Sequence, residues 1–122
     1  MKSNNAKWKN YFKNGKEVIF CTASKKGLPN GIIVISRGFI DGQILIADCQ
    51  MEKTIKNLRV NNNVCIIGGY YKIIGRAKIF SKGKYFAAVE KKSKNYKVRH
   101  AILIKPEKLI DLDEIKILNF EL

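Results

Sequence analysis

Alternating apolar and polar positions dominate the chain, and they are clearest between Tyr71 and Phe80. Alternate residues from Tyr71 to Ile79 face one way there, and the cations between them face the other. A period of two is typical of a half-buried antiparallel strand. Gly75 and Ala77 are small residues of the buried face, so we expect a tight bend or a close backbone approach at this point.

Runs rich in Val, Ile and Phe between turn residues predict further strands. Asp41-Gly42 is the strongest hairpin signal, and it joins Phe39-Ile40 to the strand that follows. Val64 to Gly68 is apolar on both faces, which predicts a central or barrel-lining strand. The other predicted strands are Glu17 to Ala23, Pro29 to Arg37, Gln43 to Ala47, Ala101 to Ile104, and one or two short ones within Leu109 to Leu118.

Three segments have helical spacing instead: the stripe Trp8, Tyr11 and Phe12, then Lys53 to Asn61 and Lys84 to Lys92. Strands outnumber helices and do not alternate with them, which disfavours a doubly wound parallel sheet. The 122 residues fit one domain. We predict a single mainly β domain over residues 1–122, a small closed or partly closed barrel of six or seven antiparallel strands with peripheral helices.

The first residues and the cysteines indicate in which compartment of the cell the protein is expected. Met1 to Lys16 lacks the apolar stretch of a secretory signal, and no apolar run approaches the roughly 20 residues of a membrane helix. We therefore expect a cytoplasmic protein without a membrane partner. The three cysteines form no C-x-x-C pair, so neither a disulfide framework nor a metal site is expected. Cys21 and Cys65 lie in apolar runs and are interpreted as small core residues.

The formal net charge of +14 suggests nucleic-acid binding. The lysines are spread along the chain rather than gathered in one block, and no aromatic RNA-stacking motif is present. Lysine as a general solubilising residue explains this pattern better. A basic β-barrel that binds nucleic acid stays the alternative function, with non-specific affinity for polyanions at low salt.

The sequence contains no evident set of residues for catalysis by side chains. His100 is the only histidine, and a structural role is the commoner one for such a residue. No G-x-S-x-G, H-E-x-x-H or G-x-x-x-x-G-K-[ST] motif occurs. If the protein is an enzyme, a bound cofactor supplies its chemistry.

The segment from Asp48 to Thr54 has the features of an anion site. It joins a predicted strand to a predicted helix, and the first N–H groups of a helix attract phosphate. Lys53 adds a full charge and Thr54 a hydroxyl donor. Lysine is frequent throughout this chain, so an ordinary surface lysine explains Lys53 equally well.

The order of these elements resembles the pyridoxamine 5'-phosphate oxidase-like FMN-binding split-barrel superfamily, in particular its short single-domain members. The series comprises a strand, a Lys-x-Gly-x-Pro turn, a long apolar strand, a hairpin, a strand, Lys-Thr at a helix start, and Asn-Asn-x-Val into a strand. In this chain it reads CTASKKGLPNGIIVISRGFIDGQILIADCQMEKTIKNLRVNNNVCII, followed by YYKIIGRAKIF. The resemblance implies a split β-barrel and a homodimer with FMN in a cleft between two barrels.

The resemblance also implies which residues hold FMN. Lys53 and Thr54 match the residues that bind its phosphate. The positions along the ring are Val34, Ile35, Ser36 and Arg37, and those along the ribityl and ring side are Ala47, Asp48 and Cys49.

Three of these residues have alternative explanations. Ser36 either donates to the phosphate or ring, or only caps the strand. Arg37 is either a cation at the phosphate or ring edge, or an ordinary arginine at a strand end. Cys49 either tunes the flavin or only packs beside it. Catalytic residues are not assigned.

The chain differs from the family's pattern in two ways, and these differences limit the activities that the resemblance implies. Ile32 stands where the vitamin B6 oxidases carry an arginine, and the chain ends without their C-terminal extension. The resemblance therefore implies an FMN-dependent oxidoreductase or electron carrier that acts on a small molecule, rather than a pyridoxamine-phosphate oxidase. A deazaflavin or heme in the same barrel is the remaining alternative.

Overall fold

The computed structural model describes residues 7–119, and within them the alternating segments form strands. A 3₁₀ helix comes first, followed by seven strands and two α-helices. Their bounds are Lys7–Phe12 for the 3₁₀ helix, then Glu17–Ala23 (β1), Pro29–Ile40 (β2), Gln43–Asp48 (β3), Glu52–Val60 (α1), Asn63–Gly68 (β4), Tyr71–Phe80 (β5), Lys84–Lys92 (α2), His100–Asp111 (β6) and Lys116–Leu118 (β7).

The strands pair antiparallel in the order β3-β2-β1-β4-β5-β6-β7. β3 also pairs with β6, from Ile44 opposite Ile104 to Asp48 opposite His100, and this pairing closes a six-stranded barrel. β7 is an additional strand along the end of β6. The structure confirms the predicted mainly β fold, an antiparallel barrel with peripheral helices.

The interior of the barrel is filled by aliphatic and aromatic side chains, among them Phe20, Ile66 and Ile73. β3 and β6 are buried on both faces, because α2 covers their outer side and forms a second cluster around Leu45 and Val89. A strand buried on both faces needs apolar residues at successive positions, which explains the unbroken run from Ile44 to Ile46.

Two predicted local features are confirmed. Asp41 and Gly42 both have positive φ, 52° and 73°, as a type I′ hairpin turn requires. Gly75 marks a close approach of β5 and β6, since a Cβ atom there would collide with the carbonyl oxygen of Lys105.

The prediction that Ala101 to Ile104 and the segment from Leu109 onward form separate strands was wrong, whereas the short strand predicted near Leu118 is confirmed as β7. A single strand, β6, runs from His100 to Asp111 and pairs with β5 along its length. Pro106 is tolerated inside it because it lies opposite Gly75, where the register shifts and the hydrogen-bond ladder is irregular. The charged residues around Pro106 face solvent, so they interrupt the apolar pattern without interrupting the strand.

The interpretation of Cys21 and Cys65 as core residues was also wrong. Both are half-buried on the outer side of the barrel, because the alternation turns Phe20 and Ile66 inward instead. At the start of the chain, Trp8 and Phe12 are buried as the stripe predicted, whereas Tyr11 is exposed. No helix within residues 7–119 is long and apolar enough to cross a membrane.

Candidate functional site

A cleft of about 260 Å³ lies between the outer side of β2 and the connection from β3 to α1. The walls are placed by two features of the sheet. β2 and β3 pair through Ser36 and Ile46, and the chain then leaves β3 at Asp48. Five residues selected from the sequence line this cleft: Val34, Ile35, Arg37, Ala47 and Cys49. Four further residues complete the lining: Ile33, Gln50, Met51 and Tyr96.

Arg37 brings a polar group to this mainly apolar cleft. Its Nε is buried and makes no hydrogen bond to any residue in the described part of the chain. An unpaired buried N–H costs about 1–3 kcal/mol relative to a satisfied one. A bound ligand with an acceptor at this position would remove that cost.

Cys49 is partly buried in the same cleft. Burial is the main factor that raises the pKa of its thiol, and the neighbouring charge of Asp48 raises it further. The thiol form therefore predominates at neutral pH, which makes Cys49 a weak nucleophile.

Asp48 is fully buried beneath the cleft wall. One carboxylate oxygen accepts hydrogen bonds from the backbone N–H of Met51 at 2.6 Å and from Arg99 Nη2 at 3.2 Å. The other lies 2.6 Å from His100 Nδ1. These contacts fix the chain from Asp48 to Met51, and with it the start of α1. Contact of Asp48 with FMN stays a prediction.

Ser36 is likewise buried and already hydrogen-bonded. Its Oγ donates to the carbonyl oxygen of Phe12 at 2.7 Å and accepts from the N–H of Gly38 at 3.1 Å. In this structure Ser36 joins the 3₁₀ helix to β2, at the position where β2 and β3 shift register.

The start of α1 lies beside the cleft. Met51 is the N-cap, and no side chain in the part of the chain that the structure describes caps the helix, so its first N–H groups are available to an anion. Thr54 is buried, and its Oγ1 accepts from Asn30 Nδ2 at 3.2 Å, which leaves the hydroxyl proton to donate elsewhere. Lys53 is exposed and does not line the cleft.

Lys53 lines a second, larger feature, which we call the basic groove. This groove of about 890 Å³ lies between the turn that joins β1 to β2 and the side of α1. Among residues 7–119, its only acidic lining residue is Glu52, which pairs with Arg99 at 3.1 Å. The cations along it are Lys25, Lys26, Lys53, Lys56 and Arg59.

Apolar residues are also exposed on the outer side of β1 and β2. Ile33 is 72% exposed, Ile19 42% and Ile35 36%. Ile33 and Ile35 line the cleft as well, so this apolar face and the cleft are continuous. Contiguous exposed apolar residues commonly mark an interaction surface.

Sequence comparison identifies a relative. No family model matches the chain. An uncharacterized protein of Methanocaldococcus jannaschii is 31% identical over 109 residues, which span 79% of this chain and 73% of the relative. The chain belongs to the family of that archaeal protein.

Solved structures identify the fold. The HupZ protein of Group A Streptococcus aligns with a TM-score of 0.81 at 19% identity, covering 98% of this chain and 99% of HupZ. An FMN-binding protein from Syntrophomonas wolfei aligns at 0.69 and 14%, covering 89% and 84%. A Clostridium acetobutylicum protein of the pyridoxinephosphate oxidase family aligns at 0.61 and 13%, covering 87% and 85%.

These likenesses confirm the predicted fold, an antiparallel split β-barrel. Proteins of this fold differ in what they bind. An F420 reductase and HutZ, the heme storage protein of Vibrio cholerae, both align with a TM-score of 0.65.

Proposed function

We propose that the protein binds FMN in the cleft beside β2 and uses it as an oxidoreductase or electron carrier. The observation that carries this proposal is the convergence of Val34, Ile35, Arg37, Ala47 and Cys49 on one cleft. Bound FMN would supply the hydride or electron transfer, so no catalytic acid or base is required of the chain.

The lining residues fit the parts of FMN. Ile35, Met51 and Tyr96 offer apolar surface to a flat ring. The unpaired Nε of Arg37 offers a donor to the ring edge or phosphate. The uncapped start of α1 lies next to Thr54 and Lys53, whose hydroxyl and charge suit a phosphate.

The homodimer belongs to the same proposal. The cleft, at about 260 Å³, is below the roughly 300–1,000 Å³ of usual ligand pockets. Since Ile33 and Ile35 belong both to the cleft and to the exposed apolar face, a second copy packed on that face would deepen and close the site. The cofactor would then lie between two barrels.

Titration of the purified protein with FMN and with riboflavin tests this proposal. We expect quenching of flavin fluorescence, tighter binding of FMN than of riboflavin, and a dimer mass by light scattering. Riboflavin lacks the phosphate, so the difference between the two ligands measures the phosphate contacts. A protein that leaves FMN fluorescence unchanged, or that copurifies with a deazaflavin or heme, would contradict FMN as the cofactor.

Lys53→Gln isolates the phosphate contact of the lysine. Loss of a hydrogen bond to a charged group costs about 1.5–3 kcal/mol, so FMN affinity should fall roughly tenfold to a hundredfold. Riboflavin affinity should not change. Lys56→Gln, an exposed lysine on the same helix, is the matched control and should leave both affinities unchanged. An equal loss in the two variants would refute the role of Lys53.

The basic groove favours a second candidate function, polyanion or nucleic-acid binding. Five cations against one acid, which is itself paired, make a local positive potential. Leu28 and Val60, exposed apolar residues that also line the groove, offer apolar contacts to bases.

Oligonucleotide binding as a function of salt tests this second function. A Lys25→Ala, Lys26→Ala double variant should reduce the slope of log affinity against log salt by about 2. The control is the double variant Lys94→Ala, Lys97→Ala, at two exposed lysines away from the groove. It should not reduce oligonucleotide affinity as the groove variant does. Equal effects of both pairs would mean that the binding is diffuse and the groove is not a site.

A further inference from the structure

Cys21 and Cys65 are direct register partners on neighbouring antiparallel strands, β1 and β4. Both side chains are half-buried on the outer side of the barrel. Opposed residues of an antiparallel pair have Cα atoms about 4.5 or 5.5 Å apart. Both values lie within the roughly 4.4–6.8 Å that a disulfide requires, so the two thiols can be joined without moving the strands.

The neighbours of this pair leave room for it. Cys21 faces Gly31 on β2, which has no side chain, and Cys65 faces Ile74 on β5. A Cβ atom placed on Gly31 would lie 3.8 Å from the sulfur of Cys21. Cys21 is among the groups that raise the pKa of the Cys65 thiol, as expected for two thiols at opposed positions on paired strands.

We infer that Cys21 and Cys65 form a reversible cross-strand disulfide when the protein meets a peroxide. The thiolate of Cys21 attacks one peroxide oxygen and becomes a sulfenic acid, and the other oxygen leaves as water. The sulfur of Cys65 then attacks Cys21 and releases the second water. Two thiols and one hydrogen peroxide thus give one disulfide and two waters, and a dithiol reductant reverses the reaction.

The direction of attack follows from the surroundings of Cys65. Burial raises the pKa of its thiol to about 11, so Cys65 is protonated at neutral pH and is not the thiolate that attacks the peroxide. In the second step its proton leaves with the hydroxyl of the Cys21 sulfenic acid as water. The third cysteine, Cys49, lies apart in the cleft beside β2, and it has no part in this reaction.

The position of the bond gives it a structural consequence. β1 and β4 share only three register pairs, at Ile19, Phe20 and Cys21. This short ladder joins β1–β3 to β4–β6 on one side of the barrel. A disulfide there would close a long loop and should raise the melting temperature by roughly 5–15 °C. The inference does not depend on any cofactor.

Hydrogen peroxide treatment of the reduced wild-type protein, followed by alkylation and mass spectrometry, tests the inference. We expect the loss of two alkylatable thiols, a peptide that links Cys21 to Cys65, a rise in melting temperature and full reversal by dithiothreitol. Cys49→Ser should behave as wild type. Cys21→Ser and Cys65→Ser should each lose the linked peptide and the thermal shift.

Three results would overturn the inference. In the first, the folded protein keeps all three thiols under conditions that oxidise the urea-unfolded chain. In the second, the disulfide involves Cys49. In the third, the disulfide forms only between two chains. The wild-type mass measurement alone separates these results from the expected one. Poor folding of a serine variant would therefore not affect the conclusion.

Discussion

His100 Nδ1 lies 2.6 Å from a carboxylate oxygen of Asp48, and the side chain of Asp48 is fully buried. The two residues are register partners across the pairing that closes the barrel. Arg99, the residue before His100, bonds to the other oxygen at 3.2 Å. The last pairing of the barrel thus also fixes the connection that forms one wall of the cleft.

Asp48→Asn should destabilise the protein by about 2 kcal/mol, because it removes the charged acceptor from Arg99 and His100. Urea unfolding measures this change in the free energy of unfolding. Asp41→Asn is the control, since Asp41 pairs with Lys84 in solvent and asparagine tolerates its positive φ. We expect little change there, and equal losses would show that the buried cluster does not stabilise the fold.

Arg37→Met should weaken FMN binding about tenfold or more, while the free energy of unfolding should not decrease, since the variant removes an unpaired buried N–H. The reason is that Arg37 Nε has no partner in residues 7–119, so no internal hydrogen bond is lost. Arg76→Met, at an exposed residue paired with Glu107, is the control for charge. A large loss of stability in Arg37→Met would mean that Arg37 is structural.

Gly75→Ala should destabilise the protein by roughly 3 kcal/mol, since the added methyl group overlaps the Lys105 carbonyl and forces β5 and β6 apart. Gly31→Ala is the matched control on a neighbouring strand, because its Cβ meets only the Cys21 sulfur at an ordinary 3.8 Å. Thermal unfolding of both variants checks this difference. Similar melting temperatures would contradict the close approach.

Cys65 should make stability depend on pH in the alkaline range. Burial raises its pKa in the folded protein to about 11 from the ordinary 9.0. Between pH 9 and 11 the unfolded chain loses a proton that the folded chain keeps, so stability falls as pH rises. The contribution is fully present below pH 9. Under reducing conditions Cys65→Ala should show a shallower fall, and parallel curves would contradict the buried thiol.

Local patterns predicted most of the fold, and the resemblance of their order to a known superfamily implied a contiguous part of the site. The strand containing Val34 and Arg37, the hairpin, and the segment with Ala47 and Cys49 follow one another closely in sequence. Their order was informative because neighbouring antiparallel strands bring such segments together directly. The five cleft residues predicted from the sequence all come from this stretch.

Ile33, Gln50 and Met51, which also line the cleft, adjoin the predicted residues in sequence but were not assigned to it. The other site residues could not be predicted, because they come from distant parts of the chain. Tyr96 reaches the cleft, and Arg99 and His100 reach Asp48, only through the pairing of β3 with β6. Nothing in the lysine-rich sequence around Tyr96 indicates that pairing. The cysteines were misinterpreted for another reason: the alternation in β1 and β4 turns Phe20 and Ile66 inward and leaves Cys21 and Cys65 on the outer side.

Closure of the barrel between β3 and β6 joins residues such as Ile44 and Ile104, which are sixty positions apart. Contacts of such long range form only after a large loss of chain entropy, and they slow folding. We therefore expect β1 to β3 to assemble early as consecutive hairpins and the β3–β6 seam to form last. Because the cleft wall is anchored at that seam, the cofactor site would be the final part of the molecule to become competent.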